Sequence, residues 1–122
     1  IAAGYALNLP LRRASAPVEP LVAIDGDGVL VESVKLAEDH SGDVIVRLYE
    51  ALGRRTSATV RFGFDVASVA QADLLEDELA EADGVEASDA SSVRLAVRPF
   101  QVLTLRVRRP PAPRASAATP AP

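Results

Sequence analysis

Apolar and polar residues alternate along most of this chain, and this two-residue period restricts its fold more than any other feature. Residues 55–62 read RTSATVRF, so the even-numbered positions share one face and the odd-numbered positions share the other. Similar alternation occurs at residues 29–37, 44–49, 93–98 and 103–108, with shorter runs at 5–9 and 21–24. Because successive side chains of a strand point to opposite faces of a sheet, each run predicts a half-buried β-strand.

Turn-forming residues separate these predicted strands. The segments DGDG at residues 25–28, DHSGD at 39–43 and LGR at 52–54 each lie between two alternating runs. Asp-Gly pairs supply the positive φ angles of tight hairpins, so we expect a hairpin turn at residues 25–28. Strands that recur about every 8–12 residues with turns between them predict an all-β fold, either an antiparallel sandwich or a barrel.

One stretch is compatible with two structures. Residues 72–82, ADLLEDELAEA, place Leu75 and Leu79 one helical turn apart, which is typical of an amphipathic helix. The same region is compatible with a strand over residues 66–74 followed by an acidic loop. Residues 73–89 contain eight acidic residues and no basic one, whereas residues 94–114 contain six Arg and no acidic residue. We expect both charged segments to be solvated and able to attract each other.

The length and the last residues predict the domain organisation. A chain of 122 residues without Cys has the size of one domain, and it excludes disulfides, thiolate nucleophiles and Cys-ligated metal sites. The Pro- and Ala-rich end removes backbone donors and offers no large side chain to bury. We expect one folded domain over residues 1–109 and a disordered tail over residues 110–122. Because the first residue is Ile1 rather than Met, we also expect a fragment of a larger protein.

The same composition bears on location and on classes of partner. The sequence shows neither the basic and then apolar pattern of a signal peptide nor an apolar run of the ~20 residues that a membrane helix needs. We therefore expect a cytoplasmic protein with no membrane contact. The net charge of −4, and the lack of aromatics between the C-terminal Arg residues, argue against a nucleic-acid partner.

Two turns contain oxygen ligands that invite comparison with metal sites, and neither matches a metal-binding pattern. The DGDG turn resembles the start of a calcium loop, but the fifth and twelfth positions, which need oxygen ligands, hold Val29 and Leu36. His40 lies beside the carboxylates of residues 38, 39 and 43, yet catalytic zinc sites usually draw on two or three nitrogen ligands and this chain has one His. We expect no metal ligand and no cofactor in this chain, with His40 a solvated turn residue.

Two acidic residues, Glu32 and Glu50, lie inside predicted strands. Glycoside hydrolysis uses two carboxylates held in a cleft, but a one-domain sandwich with short turns offers little cleft. We interpret the two residues as cross-strand partners of Arg47 or Lys35. Two Tyr and three Phe are also few for a sugar-binding module, which stacks pyranose rings on exposed aromatics. The sequence therefore predicts no catalytic residue and identifies no binding residue.

Several segments, taken in order, resemble a known domain. Residues 31–62, VESVKLAEDHSGDVIVRLYEALGRRTSATVRF, are similar to the C-terminal β-sandwich region of glycoside hydrolase family 38 α-mannosidases, in which an acidic turn precedes a strand with R-L-Y-E-A. ALNLP at residues 6–10 resembles the segment before that domain. ADLLE at residues 72–76 and the strands at 93–105 resemble its N-L-L-E-like and L-R-P-F-E-I-x-T-L patterns. The acidic region at 76–89 is longer than in that pattern, and Gln101 replaces a common acid. The resemblance implies an immunoglobulin-like antiparallel β-sandwich of about seven to nine strands, with a strand at residues 68–75.

The resemblance also implies what a parent protein does. The family consists of zinc-dependent, retaining, exo-acting α-mannosidases, whose zinc ligands, nucleophilic Asp and general acid lie upstream of this domain. No residue here matches those motifs, so the resemblance implies a non-catalytic accessory domain that packs on the catalytic region, while zinc and carbohydrate bind only to the rest of the parent. The basic face of the last strand and the strand with Tyr49 are candidate docking surfaces, and exposed strand edges favour a homodimer of the fragment. The alternative is a stand-alone immunoglobulin-like interaction or carbohydrate-binding module.

Overall fold

Eight strands and no helix make up the part of the chain that the structure, a computed structural model, describes: residues 13–111, without the side chains of residues 87 and 88. In chain order, the strands are β1 (Val22–Asp25), β2 (Val29–Leu36), β3 (Val44–Glu50), β4 (Thr56–Phe62), β5 (Ser68–Ala72), β6 (Val85–Ser88), β7 (Ser92–Val97) and β8 (Val102–Arg108). The predicted number of strands is confirmed. The predicted strand at residues 5–9 and residues 112–122 of the predicted tail, which begins at residue 110, lie outside the described residues.

The strands form two antiparallel sheets with four strands each. Sheet 1 has the order β1-β4-β7-β6, and sheet 2 has the order β2-β3-β8-β5. Two pairs of consecutive strands, β2 with β3 and β6 with β7, are hydrogen-bonded neighbours, and the other connections cross from one sheet to the other. The two sheets share one hydrophobic core, so the predicted all-β antiparallel sandwich is confirmed.

The core consists of the inward-facing side chains of both sheets. Val46 and Leu48 of β3 come from sheet 2, Val60 of β4 and Leu95 of β7 come from sheet 1, and all four are fully buried. Burial of such an aliphatic side chain contributes ~1.5–3 kcal/mol relative to exposure. The two-residue period of the sequence therefore reflects which side chains enter this core, although Ile45, at the alternate phase of β3, is also fully buried.

The DGDG segment turns between sheets, and the predicted hairpin at residues 25–28 is wrong. Strand β1 pairs with β4 in sheet 1, whereas β2 pairs with β3 in sheet 2. The Gly residues still have a conformational role, since Gly28 has a φ of 79°. Local turn chemistry fixes the reversal of the chain, but long-range pairing decides which sheet each strand joins.

The segment after β5 is a loop, so the helix alternative over residues 72–82 is wrong. The strand alternative, with an acidic loop after it, is confirmed in β5, which ends at Ala72 and does not reach residue 74 or 75. The Asp73 carboxylate accepts hydrogen bonds from the backbone N–H groups of Leu75 at 2.8 Å and Asp77 at 3.1 Å, and these bonds end the strand. Glu76 follows with a φ of 74°, which neither a helix nor a strand contains. Strand β6, inside the acidic region, has no counterpart among the predicted strands.

Three loops that connect the sheets come together at one end of the sandwich. They comprise residues 26–28, 51–55 and 98–101. The backbone N–H of Ala51 donates to the Gly28 carbonyl oxygen at 2.8 Å, and that of Glu50 donates to the Gln101 carbonyl oxygen at 3.0 Å. We call this the clamp end of the domain, because a side chain described below holds the loops together.

Candidate functional site

Glu50, the last residue of β3, places its carboxylate inside the protein at the clamp end, where the residue is 1% exposed. Oε1 accepts a hydrogen bond from the Leu52 backbone N–H at 2.8 Å. Oε2 accepts from the Gly53 N–H at 2.7 Å and from the Phe100 N–H at 2.9 Å. We call Glu50 and these three donors the carboxylate clamp. Because Phe100 lies 50 residues further along the chain, the clamp joins two loops that the sequence separates.

The clamp contains an ionised carboxylate. Burial has the largest single effect on the pKa of Glu50 and raises it, because a low dielectric disfavours the charge. Hydrogen bonds from the backbone N–H groups of Phe100, Leu52, Gly53 and Arg54 together outweigh burial and hold this pKa below its ordinary value. The group is therefore an acceptor at neutral pH, and it lacks the raised pKa of a general acid.

The predicted ion pairs of Glu50 with Arg47 or Lys35 are wrong. The carboxylate of Glu50 is occupied by backbone donors, and Arg47 donates instead through Nη2 to the Leu74 carbonyl oxygen at 2.9 Å. Glu32 is exposed on β2. The structure therefore does not bring Glu32 and Glu50 together as a carboxylate pair.

The outer face of sheet 2 carries a second group of charges, centred on Arg106 of β8. Its Nη2 lies 2.5 Å from Asp39 Oδ2, and its Nε lies 2.7 Å from Asp43 Oδ2. Its Nη1 donates to the Glu76 carbonyl oxygen at 3.1 Å. The side chain is 12% exposed, and its hydrogen bonds to Asp39 and then Asp43 raise the pKa of the guanidinium above its ordinary value.

Lys35 of β2 extends this group of charges. Its Nζ lies 2.5 Å from Glu76 Oε1 and 2.7 Å from Glu38 Oε1. The hydrogen bond from Lys35, followed by that from the Glu38 backbone N–H, holds the pKa of Glu76 below its ordinary value. Arg108 Nη2 lies 2.6 Å from Glu78 Oε1. We call the set the arginine network, which comprises Lys35, Glu38, Asp39, Asp43, Glu76, Glu78, Arg106 and Arg108.

The network confirms the expected attraction between the acidic segment and the Arg-rich segment. Glu76 and Glu78 belong to the former, and Arg106 and Arg108 belong to the latter. In the loops that flank β6 and β7, Asp83 likewise pairs with Arg98. The basic face of the last strand is thus partly engaged by carboxylates of the same chain, and its assignment as a candidate docking surface stays a prediction.

The turns that resemble metal sites hold their carboxylates against Arg side chains. Asp25 lies 3.4 Å from Arg61, and Asp27 pairs with Arg54. His40 lies exposed in the hairpin between β2 and β3 with a φ of 59°. Between residues 13 and 111, no group of three or more His, Asp or Glu side chains is arranged to hold a metal ion.

Three apolar side chains at the clamp end are exposed, and no motif in the sequence indicated them. Leu52 is 57% exposed, Phe100 is 71% exposed and Val102 is 52% exposed. Val102 lies opposite Tyr49 in the pairing of β8 with β3. The prediction that the strand with Tyr49 belongs to a docking surface stays a prediction.

The ionised carboxylates give a testable pH dependence of stability. In the folded chain the pKa values of Glu50, Glu76, Asp39 and Asp89 all lie below the ordinary values of 4.5 for Glu and 3.8 for Asp. The unfolded chain therefore takes up protons first, and this stabilisation is complete above the ordinary values and is lost as the pH falls through the folded ones. We expect urea midpoints to stay constant from about pH 7 to about pH 5 and to fall below about pH 4.5. A midpoint that rises on acidification contradicts this assignment.

Comparison with known proteins identifies the domain type. A family model described as the glycosyl hydrolases family 38 C-terminal beta sandwich domain matches residues 28–105. The match begins in the loop before β2, ends within β8 and includes both Glu50 and Phe100. No curated protein matches the chain. Within the described residues, no helix has the length and apolar character needed to cross a membrane.

Proposed function

The chain belongs to the glycosyl hydrolase family 38 C-terminal beta sandwich domains, and from this membership we propose that it is a non-catalytic accessory domain of a zinc-dependent, retaining α-mannosidase. The observation that carries the proposal is the family match over residues 28–105, which covers seven of the eight strands in whole or in part. In this proposal the parent enzyme hydrolyses terminal α-D-mannose residues. Zinc and the catalytic carboxylates then belong to other parts of the parent.

The chemistry of the described residues supports a structural role. The Glu50 carboxylate is occupied by three backbone donors, and Asp39 and Asp43 are occupied by Arg106. A general acid needs a pKa near the working pH, whereas the pKa values of Glu50 and Asp39 are lowered. These carboxylates organise loops and strands, so we assign the domain the task of packing on the catalytic region. A cytoplasmic location of the parent and a homodimer of the fragment stay predictions.

An assay of the 122-residue chain tests this proposal. Incubated with an aryl α-mannoside and Zn²⁺, the folded chain is expected to release no aryl alcohol above background, while the parent enzyme turns the substrate over with retention at the anomeric carbon. Circular dichroism in the same buffer verifies that the chain is folded. Zinc-dependent turnover by the chain alone overturns the proposal. A parent gene without an upstream catalytic region carrying an H-x-D-like zinc motif supports the stand-alone module instead.

A further inference from the structure

A cavity of about 340 Å³ lies at the end of sheet 1, where β4 begins and β7 ends. Its lining includes two cations, two hydroxyl groups and one carboxylate, which belong to Arg55, Arg98, Thr56, Ser57 and Asp83. Ser57 lies opposite Ala96 in the pairing of β4 with β7, and these two small side chains leave room beside the Arg residues. A cavity of this volume is large enough for a small organic molecule. We call it the two-arginine cavity.

Arg55 brings to this cavity a positive charge that the fold leaves unpaired. Each of the other Arg side chains between residues 47 and 109 contacts a carboxylate or a backbone carbonyl oxygen. The guanidinium of Arg55 has no such partner in the part of the chain that the structure describes, although Arg54, directly before it, pairs with Asp27. The donors of Arg55 are therefore available to a ligand in the cavity.

Arg98 brings a second positive charge to the same cavity. Thr56 lies opposite Val97 at the end of the pairing between β4 and β7, and Arg55 and Arg98 are the next residues beyond this pair. Like charges that face each other across an antiparallel pair destabilise it. Asp83 Oδ2 lies 3.0 Å from Arg98 Nη2 and balances one of the two charges. The cavity therefore keeps an excess of one positive charge, which a bound anion would balance.

Two other cavities of the domain do not share this chemistry. One, of about 260 Å³, is lined mostly by apolar side chains, and its Lys35 already bridges Glu38 and Glu76. The other, of about 480 Å³, contains Arg109, whose Nε donates to the Gly42 carbonyl oxygen at 3.3 Å. The unpaired cation therefore distinguishes the two-arginine cavity from both.

We propose that the two-arginine cavity binds an oxyanion, a phosphate or carboxylate group, either free or as the acidic group of a sugar; this inference does not depend on the proposed function. A guanidinium presents its N–H donors as a planar fork that fits two oxygens of such a group. The hydroxyl groups of Thr56 and Ser57 supply further donors, and the carboxylate of Asp83 supplies an acceptor for a sugar hydroxyl. The cavity is larger than a phosphate ion needs, which favours an anion carried by a sugar.

An NMR titration of the backbone amides of the 122-residue chain tests the proposal at low salt with glucose 6-phosphate, glucuronate, inorganic phosphate and neutral glucose as probes. We expect saturable shifts at residues 55–57 and 96–98 with the two acidic sugars and none with glucose. Inorganic phosphate is expected to bind several-fold more weakly than glucose 6-phosphate, whereas equal binding would identify the free anion as the ligand. If no anion gives saturable shifts, or if the shifts are as large at Arg61 and Arg94 on the same sheet, the proposal is overturned.

Two variants show whether the affinity comes from the cavity. Arg55→Gln removes the unpaired cation and is expected to weaken the binding of glucose 6-phosphate ~10-fold or more, as for loss of a charged hydrogen-bond donor. Arg94→Gln is the matched control, because Arg94 is an exposed Arg of β7 outside the cavity, and its affinity is expected to stay unchanged. The dispersion of the amide signals verifies that both variants are folded. Equal affinities of the two variants would mean that the general charge of the surface attracts the anion, which overturns the proposal.

Discussion

Replacement of Glu50 by Ala is expected to lower the thermal midpoint of this domain by more than ~10 °C. The substitution removes the acceptor of the Leu52, Gly53 and Phe100 backbone N–H groups, which the carboxylate holds at 2.7–2.9 Å. A buried donor that loses its acceptor costs ~1–3 kcal/mol, and each kcal/mol shifts the midpoint of a domain of this size by ~4–8 °C. Differential scanning calorimetry measures the shift directly.

Two variants show whether this effect comes from the clamp. Glu32→Ala removes an exposed Glu from the neighbouring strand β2 and is expected to move the midpoint by less than ~3 °C. Glu50→Gln keeps the shape of the side chain and one acceptor oxygen. Its thermal midpoint should therefore lie between that of the unmodified chain and that of Glu50→Ala. It should also reduce the fall in stability below about pH 4.5, because one titrating group is gone. If Glu50→Ala is as stable as Glu32→Ala, the carboxylate clamp does not hold the loops.

The strands were predictable because the two-residue period records burial directly. In β3, Val44, Val46 and Leu48 face the core, and in β4, Ala58 and Val60 do the same, as their alternation indicated. The pattern is strict because a shift of one residue in the pairing register would turn every apolar side chain of a strand to solvent. It says nothing about which sheet a strand joins. For this reason the sequence predicts a hairpin at residues 25–28, where the chain crosses between the sheets.

The region between β5 and β6 was not predictable from local pattern. Leu75 and Leu79 have helical spacing, but both are exposed, and the loop is held by other contacts. Asp73 accepts from the backbone of its own loop, and Glu76 pairs with Lys35, which lies 41 residues earlier in the chain. Contacts of this kind depend on the assembled sheets, so no window of local sequence contains them.

A signal for the carboxylate clamp was present in the phase of β3. Glu50 follows Val44, Val46 and Leu48 at the same two-residue spacing, so it shares their inward face. A carboxylate at a core-facing position needs several hydrogen-bond donors. Without them, the free-energy cost of burying its charge exceeds the stabilisation that the strand contributes. The phase of the strand is therefore a signal of burial, which the interpretation of Glu50 as a partner of Arg47 or Lys35 did not use. The donors could not be identified from local sequence, because the Phe100 N–H comes from a loop 50 residues away.

Replacement of Arg106 by Ala is expected to lower the free energy of unfolding by ~2–3 kcal/mol. The variant leaves Asp43, with a side chain that is 14% exposed, without its closest cation, and it leaves the Glu76 carbonyl without this donor. Loss of one partner from a fully buried pair costs ~3–5 kcal/mol, and the half-exposed Asp39 moderates the loss here. Urea unfolding at neutral pH measures the change.

The matched control is Arg94→Ala in β7. Arg94 pairs with Glu86 at 3.5 Å, and its side chain is 65% exposed, so solvent screens the interaction. We expect a change within ~0.5 kcal/mol, as for other surface ion pairs. Because the arginine network ties the loop after β5 to sheet 2, Arg106→Ala should also speed proteolysis within residues 73–84, whereas Arg94→Ala should not. Equal stability of the two variants would mean that the ion pairs of Arg106 follow from the packing of the sheets and contribute nothing to holding the loop.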